Sequence, residues 1–286
     1  MGRRAQWRKG AALSTCWKGA RALPDPRLQG RPVAAIGLAM RRKARQASKA
    51  ENRPRFWGRH AVAAALDNPE RTIVRIWATR DAAAELAIPS SIPLVFAEAA
   101  DLARHVPRDA PHQGVVAEVE RLEDILLADL LEQAEDGRPL LVLDQVTDPH
   151  NVGAILRSAA AFDALGIVTQ DRHAPPESGA LAKSASGALE TVPWARVVNL
   201  SRALDEMAEA GFWRVGLTGE ADQTLAEALG PKRVALVLGA EGEGMRQNTE
   251  AHCDALARLP ISGRIESLNV SNAAAIALYA AATHTG

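Results

Sequence analysis

Two cysteines, Cys16 and Cys253, are too few in 286 residues for a disulfide framework or a CxxC zinc site. A small disulfide-stapled secreted scaffold and a structural zinc protein are thereby excluded, and a reducing, cytoplasmic setting is expected. The single Tyr279, four phenylalanines and six tryptophans are scattered, so there is no aromatic platform of the kind on which single-strand binders stack bases. Net charge is lacking too: 34 Lys+Arg balance 34 Asp+Glu, and no global field marks a nucleic-acid or membrane binder. No uncharged apolar run reaches the ~18–20 residues that span a bilayer. The longest are Pro32 to Met40 and Asn272 to Thr283, which predicts a soluble chain with no membrane partner. GxSxG, HExxH and P-loop patterns are absent, and the seven histidines show no metal-ligand spacing. His60, His105 and His173 read as surface or turn residues, and no metal is expected.

The charge that is present is unevenly spread. Residues 1–55 hold 15 Lys+Arg and 2 Asp+Glu, whereas the other 231 residues hold 19 and 32. A basic arm therefore precedes a mildly acidic body, and the chain's 47% hydrophobic content supports one or two cores there. The arm, residues 1–54, is rich in Arg, Ala, Gly and Pro without a hydrophobic period and reads as disordered. Three explanations stand side by side: an RNA-binding arm, an upstream extension with Met40 as the true start, and a transit peptide.

Residues 55–120 read as a small α/β domain. The pattern predicts a helix at His60 to Leu66, strands at Ile73 to Thr79, Pro93 to Phe96 and Gly114 to Glu118, and a helical Ala99 to His105. Residues 121–138 read as a linker or bridging helix, with Leu-rich Leu122 to Ala134 closed by a turn at Asp136-Gly137-Arg138-Pro139. From 139 to 286 strands and helices alternate. Strands are expected at Leu140 to Asp144, Gly166 to Gln170, Trp213 to Leu217, Val234 to Leu238 and Ala257 to Ile261. Helices are expected at Val152 to Phe162, Leu200 to Ala210, Leu225 to Leu229 and Ser271 to His284. Such alternation implies a largely parallel sheet with helices on both faces and ligands beyond the carboxyl ends of its strands. The chemistry should then lie in the loops at Asp148-Asn151, Gly239-Gly244 and Ser262-Asn269.

Each loop has a specific chemistry. In the first, Leu143-Asp144-Gln145-Val146-Thr147-Asp148-Pro149-His150-Asn151 leads into a helix that Asn151 can cap, with Arg157 on an otherwise apolar or small helix. Arg157 is either a solvated surface residue or a clamp whose planar fork grips an anion, most naturally a phosphate. In the second, Gly239, Gly242 and Gly244 permit close approach of a ligand to the backbone. Glu241 and Glu243 would repel a pyrophosphate, so this is no dinucleotide fingerprint and suits a cationic or neutral ligand. In the third, polar Ser267, Asn269 and Ser271 alternate with Leu268 and Val270, a pattern that presents one apolar and one polar face to a flat ligand, and Ser271 would cap the last helix.

Taken together, in this order and spacing, the three stretches resemble the SpoU (TrmH-type) RNA ribose 2′-O-methyltransferases of the SPOUT superfamily. The first matches the DPHNxGAxxRxA motif, the second GxExxG and the third IPMxGxxxSLNVS, with small departures at Leu259, Ile261, Ser262 and Asn272. The preceding domain resembles the family's ribosomal-protein-like RNA-binding module, opened by Gly58-Arg59-His60-Ala61-Val62 and closed by His112-Gln113-Gly114-Val115-Val116-Ala117. Lys183-Ser184-Ala185-Ser186-Gly187-Ala188-Leu189-Glu190 resembles a further family segment near the site.

The resemblance implies a trefoil-knotted α/β domain that binds S-adenosylmethionine, a homodimer and an RNA substrate. It implies catalytic or RNA-facing roles for Asn151, Arg157, Glu241, Ser267 and Asn269. It likewise implies that Thr218, Leu238, Gly239, Ile261, Ser267 and Leu268 line the cofactor pocket. Glu241 and Asn269 would hold the loops and orient Arg157 or the nucleotide. Within the family the layout is most similar to the large-subunit (23S) rRNA guanosine 2′-O-methyltransferase subgroup. Transfer RNA enzymes, and a non-catalytic RNA-binding assembly factor, are the alternatives.

Overall fold

The computed structural model describes residues 53–134, 138–230 and 233–284. The expectations for the basic arm, except at Arg53 and Pro54, and for the turn at Asp136-Gly137 lie outside the described residues. Two sheets follow one another along the chain. The first is formed by β1 (Arg55–Trp57), β2 (Ile73–Ala78), β3 (Leu94–Phe96) and β4 (Val115–Val119) in the order β1-β4-β2-β3. Strand β4 is antiparallel to both β1 and β2, and β2 is parallel to β3. Helices α1 (Arg59–Asp67), α2 (Arg80–Glu85) and α3 (Ala99–Leu102) connect the strands. Helix α2 has no apolar period to announce it. It starts because the Thr79 side chain accepts the Ala82 N–H, supplying the cap that a short helix needs.

The segment read as a linker carries a helix, α4 (Leu127–Glu132), whose Leu127 and Leu130 are buried against the second sheet. That sheet contains β5 (Leu140–Leu143), β6 (Gly166–Gln170), β7 (Trp194–Val197), β8 (Trp213–Leu217), β9 (Val234–Leu238) and β10 (Ala255–Ala257). Its order is β10-β8-β9-β5-β6-β7 and every neighbouring pair is parallel. Between the strands run α5 (Pro149–Ala161), α6 (Gly179–Ala185), α7 (Leu200–Glu209), α8 (Leu225–Ala228) and α9 (Gln247–Glu250), and α10 (Val270–Thr283) follows β10. Alternate residues of the central strands feed two cores, as the two-residue period of a strand requires. Leu141, Leu143, Leu236 and Leu238 meet α5, α6 and α10. Leu140, Val142, Ala235 and Val237 meet α4 and α7. The first of these cores continues into the small domain through Phe56, Val62, Ile76 and Val115.

Three local expectations are corrected. The last strand is Ala255–Ala257, not Ala257 to Ile261, because the chain leaves β8 at Arg258, whose N–H bonds the Gln223 carbonyl and whose carbonyl accepts from Leu225 N. Helix α5 is capped by Asp148, which accepts from His150 N and Asn151 N, and not by Asn151. Helix α10 is capped by Asn269, which accepts from Ser271 N, and not by Ser271. Among the described residues, no helix is long and apolar enough to cross a membrane.

Candidate active site

The order β10-β8-β9-β5-β6-β7 reverses direction at the β9–β5 boundary, where parallel sheets open a crevice beyond the strand ends. At the carboxyl ends of β8 and β9 lies a cleft of about 520 Å³. Thr218, Leu238, Gly239, Ile261, Ser267 and Leu268 all line it. Val270, read with Leu268 as an apolar face for a flat ligand, lines it too, whereas sequence reasoning did not pick out Leu217, Gly219, Glu220, Glu250, Glu266 and Ala273. The Thr-Gly-Glu run directly after β8 was the available signal for two of them. Among the described residues, Glu220, Glu241, Glu243, Glu250 and Glu266 line the cleft together with leucines, an isoleucine and a valine, and no lysine, arginine or histidine does. This wall repels phosphates and favours a ligand carrying positive charge and an apolar, flat portion.

One residue from each of the three chemistry-bearing loops meets at the edge of this cleft. Asn151 Nδ2 donates to Glu241 Oε1 at 3.2 Å. Asn269 Nδ2 donates to Asn151 Oδ1 at 3.0 Å and also to Glu241 Oε1. Val270 N donates to the same Glu241 oxygen at 3.2 Å. Asn269 Oδ1 is occupied by the α10 cap. Glu241 therefore ties the loop after β9 to the starts of α5 and α10. Its second oxygen accepts no hydrogen bond among the described residues. Ser267 is exposed on the cleft wall beside this cluster.

Arg157 stands apart. It is exposed on α5, between buried Leu156 and Ala159, and makes no hydrogen bond or ion pair among the described residues. Neither Glu241 nor Asn269 bonds Arg157 among the described residues; they engage Asn151, Val270 and Ser271 and leave one Glu241 oxygen over.

Two devices hold the glycine loop. A Cβ on Gly239 would fall 2.0 Å from the Gly244 carbonyl carbon and 2.1 Å from Met245 N, both backbone atoms that cannot rotate away. Gly239→Ala is therefore expected to lower stability by about 1–3 kcal/mol through overpacking, read as a lower denaturation midpoint. The second device was missed. Asp144, fully buried at the end of β5, accepts from Arg246 N and Arg246 Nε at 2.9 Å each and pairs with its guanidinium at 2.7 Å. A lone carboxylate ending the run Leu140 to Leu143 was its signal in the sequence.

The two domains are joined by a buried ionic cluster. Arg71, with a side chain 0% exposed, pairs with Glu177 at 2.7 Å and Glu190 at 2.9 Å and donates to the Glu120 carbonyl at 2.8 Å. Asn68 Nδ2 and Leu122 N satisfy further oxygens of the two carboxylates.

Fold and cleft thus define an α/β protein with a parallel sheet whose acidic and apolar cleft suits a cationic, partly apolar small molecule beside a polar cluster drawn from three loops. The chain belongs to the SpoU rRNA Methylase family, which residues 138–279 match. Residues 56–125 match the family described as RNA 2′-O ribose methyltransferase substrate binding. Among curated relatives, the 23S rRNA (guanosine-2′-O-)-methyltransferase RlmB of Pseudomonas putida is 37% identical over 79% of this chain and 95% of that protein. An uncharacterized tRNA/rRNA methyltransferase of Synechocystis is 39% identical over 78% of this chain, which spans 61% of that protein. Among solved structures, the AdoMet-bound rRNA methyltransferase of Sinorhizobium meliloti superposes with a TM-score of 0.68 at 25% identity, covering 89% of this chain and 95% of that one.

Proposed function

We propose that the protein transfers a methyl group from S-adenosylmethionine to a ribose 2′-hydroxyl of RNA, with a guanosine of 23S rRNA as the target. The observation that carries this reading is the cluster of Asn151, Glu241 and Asn269 at the edge of a cleft walled by acidic and apolar groups. The donor set fits the cofactor: the carboxylates suit its sulfonium and amino charges, and Leu238, Ile261, Leu268 and Val270 suit its adenine. When bound, the cofactor supplies an electrophilic methyl group. The chain's own contribution is positioning, because a ribose hydroxyl is a weak acid and a poor nucleophile that gains most from being held in line. Glu241, locked through one oxygen, keeps the other as an acceptor for the hydroxyl hydrogen. Arg157, a planar guanidinium without a side-chain partner among the described residues, is suited to clamp a phosphate of the RNA.

The same reading makes the protein a cytoplasmic participant in rRNA processing and a homodimer. The exposed Ile276 and Tyr279 on α10, with Phe162 packed edge-on against Tyr279, supply an apolar face for the second copy. The trefoil knot belongs to the same reading, with Asn269 and Val270 beyond the last strand bonding back to Glu241 in the loop after β9. The test is transfer of labelled methyl from S-adenosylmethionine to unmodified rRNA and, separately, to unmodified tRNA, with mapping of the product. Label on one guanosine 2′-oxygen of 23S rRNA is expected. Label on tRNA alone would move the substrate, and bound cofactor with no transfer to either would leave an RNA-binding module.

A further inference from the structure

The segments around Arg59, Gln113 and Lys183 have no part in the chemistry above, yet the fold joins them. Gln113, from the loop before β4, accepts Lys183 Nζ at 2.9 Å and Arg59 N at 3.1 Å through Oε1. Both partners are obligate donors, which fixes the amide orientation. The remaining Gln113 Nε2 makes no hydrogen bond among the described residues, so its two N–H donors are available on an exposed side chain. Lys183 likewise makes no ion pair among the described residues, whereas neighbouring Arg59 is paired with Glu85. An ammonium held by a neutral amide keeps its full charge for an external anion.

The position of this pair matters as much as its charge. Lys183 lies on α6, and the next residue, Ser184, donates to the His150 carbonyl at 2.8 Å. His150 directly precedes Asn151. Helix α6 is seated against α5 at Gly153, where a Cβ would fall 2.6 Å from Ser184 Cβ and 2.7 Å from the Leu181 carbonyl oxygen. A continuous run of contacts therefore leads from Gln113 in the small domain, through Lys183 and Ser184, to the start of α5 and the Asn151–Glu241–Asn269 cluster. We infer that Lys183 and the Gln113 amide together bind a phosphodiester group of the substrate RNA at the domain junction, setting the register of the strand against the cluster. The inference rests on the methyltransferase reading above and names where the RNA backbone crosses between the domains.

The test measures equilibrium binding of unmodified 23S rRNA transcript to the full chain across a salt series, with S-adenosylmethionine binding measured in parallel. For Lys183→Gln, RNA affinity is expected to fall about 10-fold, the loss of one charge-assisted contact. The slope of log K against log salt should shrink by about 0.7–0.9, one phosphate's worth of counterion release. Cofactor affinity should stay at the wild-type value. Gln113→Glu separates this from a role in holding the domains together. A carboxylate there would strengthen the tie to Lys183 while neutralising it and removing the amide donors, so RNA affinity should fall by at least as much. Wild-type RNA affinity and salt slope in both variants would overturn the inference while leaving the methyltransferase reading intact. A wild-type protein that methylates no RNA would instead remove the reading on which it rests.

Discussion

Arg157→Ala is expected to reduce methyl transfer to RNA by about 10²–10³-fold, the range seen when one donor of a preorganised site is removed. S-adenosylmethionine should bind the variant nearly as well as the wild type. Arg157 is exposed, has no hydrogen-bond or ion-pair partner among the described residues, and is absent from the cleft lining, so its removal breaks nothing in the folded chain. An unpaired guanidinium on a helix whose neighbours are buried Leu156 and Ala159 is then explained by a partner supplied from outside. Arg157→Lys should recover only part of the rate, since an ammonium keeps the charge but not the bidentate fork. Single-turnover transfer with calorimetric cofactor binding provides both readouts. Parallel loss of transfer and cofactor binding would show that Arg157 supports the fold instead.

The second large effect concerns stability. Arg71→Ala is expected to cost about 3–5 kcal/mol, because it leaves the Glu177 and Glu190 carboxylates buried at the domain junction with their guanidinium gone. Burial already pushes the Glu177 carboxyl above its ordinary value, against the opposing pull of Arg71. Removing Arg71 removes that pull and moves the group further up. With the folded pKa above the unfolded one, near 4.3, the folded state keeps the proton longer as pH rises. Stability is then lost as pH climbs from the unfolded towards the folded pKa, so the variant's deficit should be larger at neutral pH than in mild acid. Chemical denaturation of wild type and variant at the two pH values measures this. A deficit independent of pH would mean that lost packing of Arg71 over the Phe56 ring, 5.0 Å away, accounts for the cost. Adding Glu177→Gln and Glu190→Gln to the variant should restore much of the stability, since neutral amides are far cheaper to bury than unpaired carboxylates.

Much of the second sheet was legible residue by residue. The runs Gly166–Gln170, Trp213–Leu217 and Val234–Leu238 are strands with the bounds their apolar patterns suggest. These are short-range properties: a buried parallel strand is mostly apolar on both faces, as in Val234–Leu238, and the turn residues on either side end it. What escaped were elements too short to carry a period. Strand β1 has three residues, and β7 includes Arg196 at the sheet edge. The helix caps were displaced by a few residues for a related reason. At α10, Asn269 caps through Oδ1 while its Nδ2 bonds Asn151 and Glu241. At α5, Asp148 and Asn151 are both competent, and the cap falls to the one not claimed elsewhere. Asn151 is claimed by Glu241, 90 residues away.

The sequence therefore contained the identity of the three loops, the glycine that lets one of them close, and the absence of a phosphate-binding fingerprint. It did not contain the partners. Nothing in the polar stretch Asn68-Pro69-Glu70-Arg71 marks Arg71 for burial. It is a fully buried ion because Glu177 and Glu190, 106 and 119 residues further on, close over it. Arg157, which the sequence groups with Glu241 and Asn269, is left outside their hydrogen-bonded cluster by the packing of α5. Secondary structure is written in neighbours a few residues apart and can be read locally. Which charges are buried, shared or left facing outward depends on side chains brought together from distant parts of the chain, and that pairing exists only once the sheets and helices have packed.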